Sequence, residues 1–421
     1  MRILLFNEYY PPDTSATAGM ARVVAEALSE WHDVVVLAGR PSYDPAERPA
    51  RYLFHSEQQG KIRICRVGSS AFSRRGMAGR LCNYLSYLAC AVPAALVLRA
   101  DLILSMTDPP FAGIAAALVA RLRGLPLVYN IRDLYPDMAV GGEILRSPWI
   151  SSLWERLHRW ALGKASRIIV LGEDMRDRIA AKGVDPCRIA VVRDGPPIAL
   201  EIPPEIHPVI GEIRGDFRFV ALHAGNIGFY GAWETLVRAA REVQGTGIGL
   251  IFIGEGAQKE RVESMAAGCS AVRFLPYRPV NEVPLVLAAA DVHVITIRPG
   301  LEGVVVPSKL YPILAAGRPV LAVAPEGSDV AQIVRRAGCG IIANPENPSE
   351  VAGAIRELAR DPGRLAEMGR RAREAAREFE PEIQMRLFVE TVEHAWAELR
   401  PDVRAASAEV ARPAPAGRTR I

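Results

Sequence analysis

The stretch that most constrains this chain is Glu302–Pro319, which reads EGVVVPSKLYPILAAGRP. A β-branched run from Asp291 to Ile297 precedes it and reads as a buried strand. Pro299, Gly300 and Gly303 break the chain into a loop. Pro307-Ser308 predicts a helix start, because Ser is a favoured N-cap and Pro a favoured first-turn residue. Gly317 predicts the left-handed stop of that helix. Lys309 stands at the start, so free backbone N–H groups and an ammonium converge there. That combination is an anion site, and the usual anion is a phosphate.

The remaining chain must supply the sheet around this element. Its 421 residues, half of them hydrophobic, suit two α/β domains rather than one. The 51 basic and 47 acidic residues leave a formal charge of +4, so no global nucleic-acid footprint is expected. The six cysteines contain no CxxC pair, which argues against zinc-ribbon sites and fits a reducing cytosol. The N-terminal MRILLFNEYY reads as a first strand rather than a signal peptide.

Arg2–Phe6, Val34–Leu37, Lys61–Val67, Asp101–Ser105, Leu127–Ile131, Arg167–Val170 and Ile189–Val192 are the predicted strands of a first domain, residues 1–198. The segment from Arg40 to Gln59 reads as loop. The turn after the first strand lacks GxGxxG, which disfavours a nicotinamide enzyme. That turn instead carries Thr14, Ser15 and Thr17, which either cap the next helix or line a cleft. RDLYPD follows the Leu127–Ile131 strand, so Arg132 and Asp133 stand at the carboxyl edge of the sheet. Asp133 either faces a cleft or caps its own turn. Residues 199–215, rich in Pro, read as a linker.

A second α/β domain spans 216–380. Its first strand, Phe217–Leu222, runs into HAGNIGFYGAWET, whose Gly225, Gly228 and Gly231 allow backbone to approach a ligand. Leu250–Ile253, Val272–Leu275, Asp291–Ile297, Val320–Val323 and Gly340–Ile342 complete a doubly wound sheet. A last helix falls within 381–400, and the Ala-, Pro- and Arg-rich tail 401–421 reads as disordered. Leu81–Leu98 is apolar, flanked by Arg74, Arg75, Arg80 and Arg99, and interrupted by Pro93. It reads as a half-buried helix, as an in-plane membrane helix, or as a minimal span.

NEYYPPDTSATA, YNIRDLYPDM, HAGNIGFYGAWETL, FIGEGAQKERV, LAAADVHVI and VPSKLYPILAAGRPVLA together resemble the retaining glycosyltransferases of family 4, with the GT-B fold. The resemblance extends to about Leu399, and is nearest to bacterial enzymes of the WbuB and WcaI kind, which serve polysaccharide and O-antigen assembly. It implies two Rossmann-like domains facing a central cleft, with the last helix returning to the first domain. It implies a nucleoside-diphosphate donor, a uridine nucleotide by expectation, carrying an amino or deoxy sugar. Glu302 would contact the donor sugar. Gly303, Val306 and Pro307 lie in the loop that meets the donor, and Ser308 and Lys309 would receive the diphosphate. Gly225, Asn226 and Gly228 would face the phosphates from the other side, and Thr14, Ser15, Thr17 and Arg132 fall on the acceptor side.

The departures from that family carry information. Pro312 stands where the family has a ribose-binding glutamate, and Asn226 and Tyr230 stand in a loop that often holds an Arg and a Lys. Lys309 is then the natural diphosphate cation and Arg298 the second. The family's cleft His–Asp pair reads Arg132–Asp133. The implied reaction is front-face transfer with retention, Asp133 orienting or deprotonating the acceptor hydroxyl. No metal or cofactor is expected. The implied acceptor is a polyprenyl-diphosphate-linked sugar or a glycan, met at the cytoplasmic membrane face. The alternatives are a non-catalytic sugar-nucleotide scaffold and a sugar-nucleotide 2-epimerase.

Overall fold

The structure is a computed structural model that describes residues 1–41, 52–73, 76–196 and 207–398. The expected disordered tail, the first part of the expected linker, and Arg74 and Arg75 lie outside the described residues.

Two sheets organise the chain. The first contains β1 (Arg2–Phe6), β2 (Asp33–Ala38), β3 (Phe54–Gln59), β4 (Ile62–Val67), β5 (Leu102–Ser105), β6 (Leu127–Asn130), β7 (Arg167–Val170) and β8 (Ile189–Val191). Their order across the sheet is β3-β4-β2-β1-β5-β6-β7-β8. The inner strands are short, almost wholly apolar and buried, as parallel strands covered on both faces must be. β1 is the hinge of the topology, pairing Ile3 with Val34 of β2 on one side and with Leu102 of β5 on the other.

The second sheet contains β9 (Phe219–Ala224), β10 (Ile248–Ile253), β11 (Val272–Leu275), β12 (Val292–Thr296), β13 (Val320–Val323) and β14 (Gly340–Ala343). Its order is β11-β10-β9-β12-β13-β14, and all its pairings are parallel. Each sheet therefore reverses its winding once, between β1 and β5 in the first domain and between β9 and β12 in the second. Open parallel sheets bind ligands beyond the carboxyl ends of the strands at such a reversal.

Helices Met77–Val97, Ala112–Arg123 and Pro148–Lys164 cover one face of the first sheet through Tyr87, Ala91, Ala116, Ala120 and Leu162. The other face is covered by Ala16–Ser29 and by the last helix, Pro381–Ala397, whose Phe388, Val392 and Ala395 sit in the first domain's core. Burying Phe388 and Val392 contributes roughly 1.5–3 kcal/mol each to holding that helix across the two domains.

Four local expectations change. Phe54–Gln59, read as loop, is an exposed edge strand antiparallel to β4, and Gly60 turns between them at φ +59°. FHSEQQ has no apolar alternation to announce it, because neither of its faces is buried. Pro208–Arg214, read as linker, is a helix that seats Ile210 and Ile213 against Val220 and Leu222 of β9. The helix that was to start at Pro307-Ser308 starts at Leu310 and ends at Ala315, and Ser308 makes no capping bond. Its predicted stop is where Gly317 lies, at φ +66°. Finally, Pro93 does not interrupt Met77–Val97. It stands on the exposed side, so the carbonyl of Ala89 that it leaves unpaired faces outward.

Candidate functional site

The two winding reversals face each other, and the loops beyond them build the site. On the second domain, the loop after β9 and the long loop after β12 are neighbours because the strands are. Lys309 closes the second loop. Its Nζ reaches back over β9 to lie 3.1 Å from Nε2 of His223. Nδ1 of His223 is 3.2 Å from the carbonyl of Val294, so that nitrogen carries the proton and Nε2 accepts from the lysine. Burial pushes the Lys309 ammonium down to about 7, and burial, then the lysine's own charge, pushes His223 well below its ordinary value.

Gly225 shows how closely this is packed. A Cβ there would meet Lys309 Nζ at 2.9 Å, and φ of +135° is open only to glycine. The ammonium therefore lies directly against loop backbone. Beside it, the amides of Val305, Val306, Ser308 and Lys309 have no hydrogen-bond partner among the described residues. The helix that follows has only six residues. Its dipole adds little, and the anion-holding capacity lies in the lysine and the loop amides. Asn226 and Tyr230 supply no charge and shape the loop instead, the Tyr230 hydroxyl donating to the Asn226 carbonyl at 2.5 Å. Gly228 accepts at its carbonyl from the Trp233 indole at 2.6 Å.

Glu302 is half-buried, and its Oε2 is buried with no hydrogen-bond partner. An acceptor atom left so is set for a hydroxyl of a bound molecule. Its loop is fixed by the first domain. Asp174, the second residue of helix Glu173–Ala181, accepts from the Gly303 amide at 3.0 Å and from the Asp329 amide at 2.9 Å. Burial, with the nearby Asp329 charge, pushes the Asp174 carboxyl up to about 6. Gly303 must be glycine, since its φ is +68° and a Cβ would sit 2.5 Å from the carbonyl of Asp174. The Arg178 guanidinium donates to the Glu302 carbonyl at 2.8 Å, and Arg193 pairs with Asp329 at 2.7 Å. Two expectations are corrected here. The Gly303 amide is taken by Asp174 and does not point to a donor. Arg298, expected as the second diphosphate cation, instead donates to the Gly141 carbonyl of the first domain and bridges the two domains. Val306 and Pro307 are half-buried, Val306 packing against the first domain's core, and Ser308 is exposed.

The first domain's side is acidic. Asp133 is half-buried, and burial followed by the Asp108 charge pushes its carboxyl up to about 6. Arg132 opposes that rise but is itself held by Asp194 at 2.6 Å. Ser15 is the N-cap of Ala16–Ser29, accepting from the Ala18 amide at 3.1 Å; Thr14 is exposed and Thr17 half-buried beside it. The capping reading of Ser15 is thus realised. Two residues beyond Asp133, Tyr135 stacks on Trp154 with ring centroids 5.6 Å apart, and Phe111 lies 4.5 Å from the same indole. Among the described residues no group of three or more His, Cys, Asp or Glu side chains comes together as a metal site would require.

Sequence reading did not single out His223, Asp108, Asp174 or Asp194. Each lies within three residues of the carboxyl end of a strand or in the first turn of the helix after one, and that position is the signal that could have found them.

With this geometry in view, comparison with known proteins is decisive at the family level. A family model of the glycosyl transferase 4-like domain matches residues 17–195, and one of the glycosyl transferases group 1 matches residues 218–361. The chain belongs to the glycosyltransferases. It is 29% identical to the probable glycosyltransferase WbjE of Pseudomonas aeruginosa over 265 residues, covering 62% of this chain and 66% of that one. It is 22% identical to the putative colanic acid biosynthesis glycosyl transferase WcaI of Escherichia coli K12, covering 85% and 92%. The crystal structure of Anabaena Alr3699/HepE in complex with UDP matches with a TM-score of 0.64 at 17% identity, covering 94% of this chain and all of that one. The last likeness establishes the fold, and the glycosyltransferase's two domains are those of the GT-B architecture.

Proposed function

We propose that this glycosyltransferase moves an N-acetylated amino sugar or a deoxy sugar from a nucleoside diphosphate to a lipid-linked or glycan acceptor, with retention of configuration, in cell-surface polysaccharide assembly. One observation carries the reading: a half-buried lysine, held by His223 against Gly225 and flanked by unpaired loop amides, at the winding reversal of the second sheet. A diphosphate fits that receptor, and a uridine nucleotide is favoured because HepE, of the same fold, is seen with UDP and with UDP-glucose. Polysaccharide assembly is favoured because WcaI, similar over most of this chain, is named for colanic acid biosynthesis.

In the reaction, negative charge grows on the departing β-phosphate. Lys309 and the loop amides would stabilise it in a site where low dielectric strengthens every such contact, so no metal is needed. Glu302 would hold hydroxyls of the transferred sugar through its unpaired Oε2. The acceptor hydroxyl gives up its proton to the leaving phosphate as it attacks from the same face. Asp133, across the cleft, would orient that hydroxyl or share its proton. The enzyme would work on the cytoplasmic side, where sugar nucleotides are found, with its acceptor presented at the membrane.

The test is release of nucleoside diphosphate across a panel of sugar nucleotides, with NMR of the product's anomeric proton. Release that disappears in Lys309→Ala and Glu302→Gln, with a product anomer matching the donor's, supports the reading. Tight donor binding without turnover under any acceptor supports a scaffold instead, and product epimerised at C2 supports an epimerase.

A further inference from the structure

The first domain's outer helices carry surface that the sugar-transfer site does not use. Met77–Val97, Ala112–Arg123 and Pro148–Lys164 lie side by side on one face of the first sheet. Their inner stripes are buried, but nearly half of the exposed large apolar side chains among the described residues stand on their outer sides. Leu81 and Leu85 project from the first helix, Leu122 from the second, and Trp149, Leu153 and Leu157 from the third. Trp149 is 73% exposed, a costly state for an indole in water. Met77–Val97 is by length and composition apolar enough to cross a membrane, yet Tyr87, Ala91 and Ala95 are packed into the domain core, so it lies flat along the sheet.

Charge on this face is one-sided. The three helices hold Arg80, Arg121, Arg123, Arg156, Arg159 and Lys164 against a single acid, Glu155, and that acid is taken by Lys182 and Arg159. The whole chain, by contrast, is nearly balanced at 51 basic to 47 acidic residues. Apolar side chains interleaved with basic ones are what an anionic bilayer surface selects. A second copy of this chain fits poorly, because a symmetric contact would set two basic faces against each other.

The face also reaches the cleft. Tyr135, two residues past Asp133, stacks on Trp154 of the third helix, next to Leu153. The Tyr135 hydroxyl is also within electrostatic reach of Tyr84 and Arg80 on the first helix.

We infer that this three-helix face is a docking platform for an anionic lipid bilayer, and that it sets the Asp133 side of the cleft at the membrane surface, where a lipid-anchored acceptor enters past Tyr135. The second half of the inference rests on the proposed sugar transfer; the docking does not.

Flotation of the full chain with vesicles of phosphatidylcholine, alone or with about a third phosphatidylglycerol, tests it. Binding is expected to the anionic vesicles and not the neutral ones. Leu85→Glu/Leu153→Glu should weaken that binding at least ~10-fold, as should Arg121→Glu/Arg156→Glu, which leaves the apolar side chains in place. Both variants should keep the wild-type melting temperature and the wild-type release of nucleoside diphosphate from soluble donor. Wild-type protein that stays unbound on anionic vesicles overturns the platform. So does light scattering that shows a wild-type dimer made monomeric by Leu85→Glu/Leu153→Glu. Vesicle binding without any donor turnover would count against the sugar-transfer reading alone and leave the platform standing.

Discussion

The two winding reversals are built alike and charged oppositely. Both lie between strands that diverge from one centre, β1 with β5 in the first sheet and β9 with β12 in the second. Around the first, Asp108, Asp133 and Asp194 crowd a single arginine that is already bound to Asp194, and Asp133 is pushed up to about 6. Around the second, Lys309 sits over His223 and glycine backbone, and is pushed down to about 7. One fold thus holds a carboxyl pushed up at one reversal and an ammonium pushed down at the other, the pair that the proposed reaction would use for the acceptor and the donor. Burial does both, because it raises an acid and lowers a base. The topology decides where a ligand goes, and the few side chains at the strand ends decide what it is.

Removing the cation should break the contrast most. Lys309→Met should lower kcat/KM by ~10³, the usual order for one charge-stabilising group in a closed site. It should also raise the melting temperature of the ligand-free protein near neutral pH. Lys309 binds its proton less readily folded than unfolded, so that gain should fade as pH rises from about 7 toward the lysine's ordinary value, where the folded and unfolded states come to bind equal numbers of protons. Steady-state kinetics with a pH series of melting curves checks both. A loss under tenfold would mean the donor's charge is held elsewhere.

Asp133→Asn, on the opposite side, should lower kcat by ~10² while leaving the donor KM within about twofold. An equal effect on donor KM would erase the proposed division of labour. In the wild type, activity should fall as pH drops through about 6, where Asp133 gains its proton, and donor affinity should weaken above about 7, where Lys309 loses its own. Profiles of kcat and of donor affinity should therefore fail at opposite ends of the pH scale.

Asp174 joins the two sides, and its loss should have the smallest effect. Asp174→Ala leaves the Gly303 and Asp329 amides without their acceptor, a cost of about 1–3 kcal/mol. Donor KM should rise ~10-fold, because the loop carrying Glu302 loses its anchor, with kcat changed less. Calorimetry and donor titration on the same variant measure the two effects separately; a fall in kcat alone would mean that Asp174 acts on the reacting groups.

What the sequence could show follows from how each feature is encoded. Buried parallel strands such as RILLF and LILS announce themselves by composition, and the irregular stretch after the Val292–Thr296 strand by Pro299, Gly300 and Gly303. Phe54–Gln59 was illegible because an exposed edge strand has no buried face to print a period. Ser308 misled because a serine signals a cap only where the chain turns helical at once, and here the helix waits until Leu310. Arg298 looked like a phosphate ligand from its position after a strand, but its partner is the Gly141 carbonyl, far away in sequence. His223 and Asp174 acquire their roles in the same way, through contacts with Lys309 and Gly303 that no local pattern encodes.

The most direct test of Lys309 as the diphosphate receptor is the proton taken up on binding. UDP is titrated calorimetrically at about pH 8.5 in two buffers of different ionisation enthalpy, where a lysine near 7 is mostly neutral and must be charged by its ligand. The account predicts uptake of nearly one proton per UDP by the wild type, and none by Lys309→Met, which should also bind much more weakly. Equal heats in both buffers for the wild type, or undiminished UDP affinity in Lys309→Met, would contradict it.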